Sequence, residues 1–211
     1  GSEASDVPMF GTYAKRQCCA DHLEEQLLPD SSAGNDYLVG RMPPRVKALN
    51  AASIDGTPLD GIPGKEPDEP EWIRVVATSG RTRVRTTLAP PDDDFVLQER
   101  GDRTLRADRD VLIRSDSPVQ VLQALGSQGV TGIPRQYPGG DPSIIAVPPI
   151  RQYRRDYIFL TPDKYIFDFV NIMAPREARI RFDGGDLPDT CLTSSVPGFD
   201  AAAAMSGATS S

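Results

Sequence analysis

The feature that most limits how this chain can fold is a series of short strand-like runs between Trp72 and Phe182. Glycine and proline residues separate the runs, and turn signals recur about every 8–12 residues, as in sandwiches and related folds. In residues 81–88, Thr82, Val84 and the following alternate positions form one face, and arginines fill most of the other. A period of two places one face of a strand on a core and the other in water. The sequence therefore predicts an all-β, mostly antiparallel fold that resembles a β-sandwich.

The strongest strand signals lie in residues 156–161 and 165–174, which are dense in aromatic and β-branched side chains. Because residues 165–174 are apolar on both faces, they are predicted to form a central strand that is covered on both sides. Ser79 and Gly80 indicate a hairpin that joins strands at 72–78 and 81–88. Further strands are predicted at 37–39, 95–98, 110–115, 119–125, 143–147 and 178–182, with a turn at 183–186.

The two ends of the chain have a different character. Residues 15–28 carry helix formers, with Cys19, Leu23 and Leu27 spaced four apart, which predicts one short N-terminal helix or helical turn. Residues 48–70 are rich in proline and glycine and are interpreted as a loop insertion. Residues 191–211 are small and polar and are predicted to be a disordered tail, so residues 1–190 form one β-rich domain.

The charge of the chain restricts its partners. Thirty acidic residues outnumber 23 lysines and arginines, which gives a net charge of −7. Nucleic-acid binders normally carry a basic surplus because phosphate contacts dominate their affinity, so no nucleic-acid partner is predicted. No apolar run approaches the ~20 residues of a membrane-spanning helix, so direct membrane insertion is not predicted. The chain opens on Gly1, and we expect it to be a fragment or processed piece without its targeting signal.

Three cysteines, Cys18, Cys19 and Cys191, are candidates for a disulfide. A bridge from one of the adjacent pair to Cys191 would close a long loop and leave the other thiol free or intermolecular. The number of cysteines does not fix their connectivity, and three unpaired buried thiols are the alternative.

His22 is the only histidine and lies close to the two adjacent cysteines. A zinc site would combine Cys18 and His22 with a further ligand, but structural zinc sites usually show a spaced cysteine pair and a second half. A cysteine nucleophile beside His22 is the enzyme alternative, and no catalytic motif supports it. The sequence therefore predicts no catalytic residue, no metal site and no cofactor.

Arg81, Arg83 and Arg85 form a candidate face for acidic or sulfated glycans, because guanidinium groups bind such anions with two hydrogen bonds. The alternative is a solvated sheet face on which arginines lie opposite aspartate or glutamate. Residues 92–94 are three consecutive aspartates, which suggest either a calcium ligand set or, in a proline-rich loop, a solvated turn.

Two blocks of sequence resemble a known family. Residues 18–41 (CCADHLEEQLLPDSSAGNDYLVGR) and residues 140–185 (from GDPSIIAVPPIRQYRRDYIF to RIRFDGG) are similar to the N-terminal domain family of the IgGFc-binding protein. The segments EWIRVVAT and SPVQVLQAL fit between them in the same order. The resemblance implies a β-rich, extracellular or cell-surface domain of a bacterial-type member, with no catalytic motif to transfer. It also implies that the family domain extends beyond both ends of this chain.

These features together predict a non-catalytic, secreted or surface-displayed binding or adhesion module with a protein or glycan ligand. The ligand would be bound by exposed loops such as residues 126–142, because binding residues concentrate on loops held by a rigid scaffold. A purely structural domain of a larger surface protein is the alternative. An enzyme that uses Cys18 or Cys19 with His22 is the third and weakest hypothesis.

Overall fold

The computed structural model describes residues 23, 25–26, 28–51, 53–54, 57–58, 61, 69, 71–137, 139–161, 168–187, 191–196 and 203–209. Within these residues the regular structure is mainly β. No helix in this part of the chain is both long and apolar enough to cross a bilayer.

The strands are β1 (Gly34–Val39), β2 (Ser53–Ile54), β3 (Thr57–Pro58), β4 (Glu71–Ala77), β5 (Thr82–Thr86), β6 (Asp94–Leu97), β7 (Asp102–Ala107), β8 (Val111–Leu125), β9 (Ser143–Val147), β10 (Asp168–Ala174), β11 (Arg181–Phe182), β12 (Gly185–Asp186), β13 (Leu192–Ser195) and β14 (Ala203–Thr209). The helices are α1 (Arg45–Ala51) and α2 (Gln128–Thr131), and short 3-10 helices lie at Asp30–Ser32 and Ile150–Gln152.

Strand β8, which is 15 residues long, organises the main sheet because β1, β4, β5 and β9 all pair with it. The first half of β8 is flanked by β1 and β5, and the second half by β4 and β9. Among the described residues this sheet has seven strands, in the order β6-β5-β8-β4-β7 with β1 and β9 as further partners of β8. Every pair is antiparallel, which confirms the predicted fold class.

One face of this sheet encloses the main hydrophobic core. Alternate side chains point inward, as the period of a strand requires, and Ile73, Val75 and Ala77 of β4 are at most 1% exposed. All seven strands contribute to a single cluster that includes Leu105 of β7 and Ile113 of β8. The sheet therefore curls around one core.

A second layer covers part of the opposite face. Leu38 of β1 and Leu112 of β8 pack with Ile150, Met173 and Val196. Met173 belongs to β10, which lies in a three-stranded sheet with the order β10-β14-β13. The arrangement is sandwich-like at this end of the main sheet.

Ser79 and Gly80 do not form the predicted hairpin, because β4 and β5 do not pair with each other. Both strands run antiparallel to β8, β4 along residues 119–125 and β5 along residues 113–115. The chain therefore keeps its direction through this turn. A 15-residue partner can take two shorter strands end to end, and the periodicity within each short run does not reveal this.

The prediction of two separate strands at 110–115 and 119–125 is wrong, because both runs lie on the single strand β8. The β1–β8 ladder skips residues 115–118, which form a bulge in it. Pro118 has no N–H to donate to a ladder, and the bulge removes that requirement. Its carbonyl oxygen instead accepts a hydrogen bond from the hydroxyl of Thr78 at 2.8 Å.

The two segments with the strongest strand signals also differ from prediction. Residues 156–161 form no regular structure and are exposed. Among the described residues, the predicted strand at 165–174 begins at Asp168 as β10, and it lies at the edge of its sheet rather than at the centre. Every residue of β10 is half-buried, so neither face is fully enclosed.

Other predicted elements are confirmed. The strands expected at 37–39, 95–98 and 143–147 are present as β1, β6 and β9. The run at 178–182 is a strand only over β11, which pairs with β12. The turn between them has positive φ at Asp183 and Gly184 (48° and 81°), as the Asp-Gly pair predicts.

At the N-terminal side, residues 15–22 of the predicted helix lie outside the described residues, and Leu23, Gln26 and Leu28 are not helical. The predicted insertion at 48–70 overlaps helix α1 and contains the short pair β2–β3.

At the C-terminal side, the predicted disordered tail contains two strands, β13 and β14, in its described part. Both belong to the three-stranded sheet that also contains β10, in which β14 pairs with β10 and with β13. The division of the chain at residue 190 stays a prediction.

Tyr37 joins β1 to β8 through its hydroxyl group and is 1% exposed. The oxygen accepts from the Gly34 amide at 2.9 Å and donates to the Val119 carbonyl at 2.6 Å. Tyr37→Phe is expected to lower the free energy of unfolding by about 1–2 kcal/mol, because it leaves two buried backbone groups unsatisfied. Urea denaturation checks this, with Tyr157→Phe as the exposed control. Equal stability of the two variants would contradict the prediction.

Candidate functional site

Residues 157–160, called the apolar strip from here on, expose four large apolar side chains in succession. The exposed fractions are 64% for Tyr157, 100% for Ile158, 47% for Phe159 and 93% for Leu160. Single exposed apolar residues are normal on soluble proteins, but a contiguous exposed group marks an interaction surface. The apolar strip is therefore the first candidate for a binding site.

The chain just before the apolar strip is anchored to the main sheet. Ile150 packs against the cluster around Leu38, and Arg151 Nη2 donates to the Ala33 carbonyl oxygen at 2.5 Å. The hydroxyl of Tyr153 lies 3.5 Å from the Leu38 carbonyl oxygen. Burial raises the pKa of Tyr153 to about 12, so this phenol stays neutral at physiological pH. The strip thus projects from a fixed base.

Two local contacts shape the apolar strip. The hydroxyl oxygen of Tyr157 accepts a hydrogen bond from the Arg154 amide at 2.8 Å. The rings of Phe159 and Phe182 are 6.0 Å apart and tilted by 42°, a common geometry for an aromatic pair. These contacts hold the two aromatic residues in place and leave Ile158 and Leu160 almost fully open.

Arg154 and Arg155 precede the apolar strip and are exposed. Neither forms an ion pair with a carboxylate among the described residues, whereas Arg83, Arg109 and Arg179 each do. Apolar side chains beside unengaged guanidinium groups can take a ligand that offers both apolar groups and anions.

Residues 126–142, the loop predicted to bind a ligand, are tied down by a buried glutamine. Gln128 is 3% exposed, and its Oε1 accepts from the Gly139 amide at 3.0 Å. Its Nε2 donates to the carbonyl oxygens of Pro134 at 2.6 Å and Tyr137 at 2.8 Å. The loop is closed on itself, so it presents a preformed surface.

Arg45 and Glu69 connect this loop to helix α1. Arg45 donates to the carbonyl oxygens of Gly126 at 2.8 Å and Gly139 at 3.0 Å, at the two ends of the loop. Glu69 is 7% exposed and pairs with Arg45 Nε at 3.3 Å. Its carboxylate also accepts from the amides of Arg45 and Val46 at 2.9 and 2.8 Å, so it caps the N-terminus of α1.

Glu71 is the centre of a neighbouring buried group and is 4% exposed. Its carboxylate accepts from the Met42 amide at 2.6 Å and from Gln123 Nε2. Gln123 Nε2 also donates to the Gly40 carbonyl oxygen at 2.9 Å. Burial raises the pKa of Glu71 to about 7, against the opposing effects of these hydrogen bonds and of Arg41.

The predicted anion face lies on β5 and is engaged with aspartate. Arg83 pairs with Asp94 at 2.6 Å, and Arg85 lies 3.6 Å from the same carboxylate. The Arg83 guanidinium lowers the pKa of Asp94 below its usual value. Arg81 is exposed and directly precedes the strand. This geometry is what the alternative of a solvated face expects, and glycan binding by these arginines stays a prediction.

The remaining candidates from the sequence are the cysteines, His22 and the aspartate run, and the structure does not bring them together within the residues it describes. Cys18, Cys19 and His22 lie outside the described residues, and Cys191 is half-buried, so the disulfide stays a prediction. Asp92, from the aspartate run, pairs with Arg103 at 2.5 Å. Within the described part of the chain, no three histidine, cysteine, aspartate or glutamate residues form a cluster that could hold a metal ion.

Sequence reasoning missed the apolar strip as a site, because residues 156–161 carry a strong strand signal. An apolar aromatic run predicts burial in a sheet and gives no sign that the segment lies outside one. The one available signal was the pair of arginines at 154 and 155 directly before the run. Arginine and tyrosine together are typical of interface centres rather than of buried strands.

Comparison with known proteins gives one family. The family model described as IgGFc binding protein matches residues 3–205, which is nearly the whole chain. No curated protein and no solved structure matches.

Proposed function

This chain belongs to the IgGFc-binding protein family, and on that premise we propose that it is a non-catalytic protein-binding module that acts outside the cytoplasm. The observation that carries the proposal is the exposed apolar strip of residues 157–160. The proposal includes a secreted or surface-displayed parent protein of the bacterial type, in which the module serves adhesion.

A protein ligand is favoured over a glycan by the chemistry of the exposed groups. Tyr157, Ile158 and the two residues that follow present apolar surface, whereas Arg83 and Arg85 of β5 are already engaged with Asp94. Burial of an apolar side chain of this size contributes about 1.5–3 kcal/mol. Four such side chains offset the entropy loss of association only in part, so we expect moderate affinity.

The double variant Ile158→Glu/Leu160→Glu is expected to weaken ligand binding by at least about tenfold, because it places two charges in the contact. Binding is measured on a sensor surface against the Fc fragment of IgG, the ligand that the family description names, and against an array of extracellular proteins. Since both residues are 93% exposed or more, the melting temperature should stay close to that of the unchanged chain.

Ile145→Glu is the matched control, because Ile145 is 51% exposed on β9, outside the apolar strip. It should bind every ligand as the unchanged chain does. If the double variant also retains all binding, the apolar strip is not the contact. If the unchanged chain binds neither Fc nor any protein of the array, the alternative of a purely structural domain replaces the proposal.

A further inference from the structure

We propose that the apolar strip takes a short linear segment of its partner, in which apolar side chains are flanked by carboxylates. The inference rests on the proposed function and specifies the partner that the same surface would bind. Three observations support it: the order of the exposed side chains, the state of the neighbouring arginines and the small extent of the surface.

The exposed side chains follow one another along a single segment. Two arginines at 154 and 155 come first, the exposed Asp156 comes next, and the four apolar residues of the strip follow, so the two guanidinium groups outnumber the one carboxylate. A partner that matches this order offers carboxylates beside a group of apolar side chains. Guanidinium groups bind carboxylates through two parallel hydrogen bonds, which fixes the position of the partner along the strip.

The arginines are available for this role. Arg151 is held by the Ala33 carbonyl oxygen at 2.5 Å, and Arg179 pairs with Asp186 at 3.0 Å. Arg154 and Arg155 are exposed and have no ion pair with a described carboxylate. Because the chain as a whole carries a net charge of −7, an acidic partner is repelled by most of its surface and attracted at this place.

The extent of the surface points to a segment rather than a folded face. A stable interface between folded proteins takes about 20–30 residues from each side. The strip and its two arginines supply far fewer than that, in one continuous stretch. A linear segment fits this size, and its affinity is expected on the order of 10–100 µM.

The experiment uses the full chain and two fluorescent synthetic peptides that share a Val-Tyr-Val-Tyr centre. One peptide carries glutamates at both ends and the other carries lysines. Fluorescence anisotropy is expected to show at least about tenfold tighter binding of the glutamate peptide. Arg154→Glu/Arg155→Glu should reverse this preference, and Arg154→Gln/Arg155→Gln should remove it. Both changes affect exposed side chains, and circular dichroism checks that the fold is retained.

The outcomes separate the inference from the proposed function. Equal binding of both peptides, abolished by Ile158→Glu/Leu160→Glu, overturns the role of the arginines and leaves the apolar strip as a binding surface. Binding that neither pair of substitutions changes overturns both. If the glutamate peptide does not bind, the partner is not a short acidic segment, and the inference is wrong even where the strip still binds a folded protein.

Discussion

Glu69→Ala is expected to lower the free energy of unfolding by about 3–5 kcal/mol, which is the usual effect of removing one partner of a buried ion pair. The carboxylate is 7% exposed and holds the Arg45 guanidinium and the first two amides of helix α1. Without it, the half-buried Arg45 guanidinium keeps its hydrogen bonds to the Gly126 and Gly139 carbonyl oxygens but loses its counter-charge, and two helix N–H donors lose their acceptor. Urea denaturation followed by circular dichroism measures the loss.

Two controls distinguish this effect from the loss of any carboxylate. Asp108→Ala removes the partner of Arg109 in an exposed pair, and little change is expected because solvent screens such pairs. Arg45→Met should cost less stability in the Glu69→Ala background than in the unchanged chain, since in that background it no longer breaks an ion pair and removes an uncompensated charge. A loss below about 1 kcal/mol in Glu69→Ala would contradict the importance of this contact.

The stability of the protein is expected to fall by about 3 kcal/mol between pH 4.5 and pH 7 because of Glu71. In the folded state, burial raises the pKa of this carboxyl group from 4.5 to about 7. Between these values the folded state holds a proton that the unfolded state has released, so stability decreases as the pH rises. Below pH 4.5 the carboxyl group is protonated in both the folded and the unfolded state, so Glu71 no longer destabilises the folded state.

The test compares the unchanged chain with Glu71→Gln by urea denaturation from about pH 4 to about pH 8. The amide cannot ionise, so the difference in unfolding free energy between the two proteins should shift by about 3 kcal/mol in favour of the variant across this range. Glu99→Gln, at an exposed position, is the control and should leave the pH profile unchanged. Parallel profiles for the unchanged chain and Glu71→Gln would contradict the prediction.

Local pattern predicted the fold class and several strands because both depend on neighbouring residues. The alternation in residues 143–147 and the Asp183-Gly184 turn are signals of this kind, and both were confirmed. Pairing depends on distant residues instead. Ser79 and Gly80 were interpreted as a reversal because the sequence gives no sign that β4 and β5 share one long partner.

The candidate site was less predictable, for a physical reason. A run such as residues 157–160 has the same strand preference whether it is buried in a sheet or exposed to a partner. Burial of Glu69 and Glu71 was equally hidden, because charged residues are mostly exposed and both lie next to a proline-rich region that predicts a loop. The two carboxylates are buried because they accept hydrogen bonds from the backbone amides of Met42 and Arg45. These contacts join residues more than 20 positions apart, and local sequence patterns do not reveal them.

The central place of β8 also affects how the protein reaches its native state. Strands β1, β4 and β5 are made before β8, and none completes its hydrogen bonding until residues 111–125 have been synthesised. A nascent chain that has emerged from the ribosome only as far as β7 therefore carries open strand edges. Much of the strand pairing in this sheet joins residues far apart in sequence, which slows folding. Such a chain exposes unpaired backbone groups until β8 emerges, and a holding chaperone that binds extended segments would find sites on it during that interval.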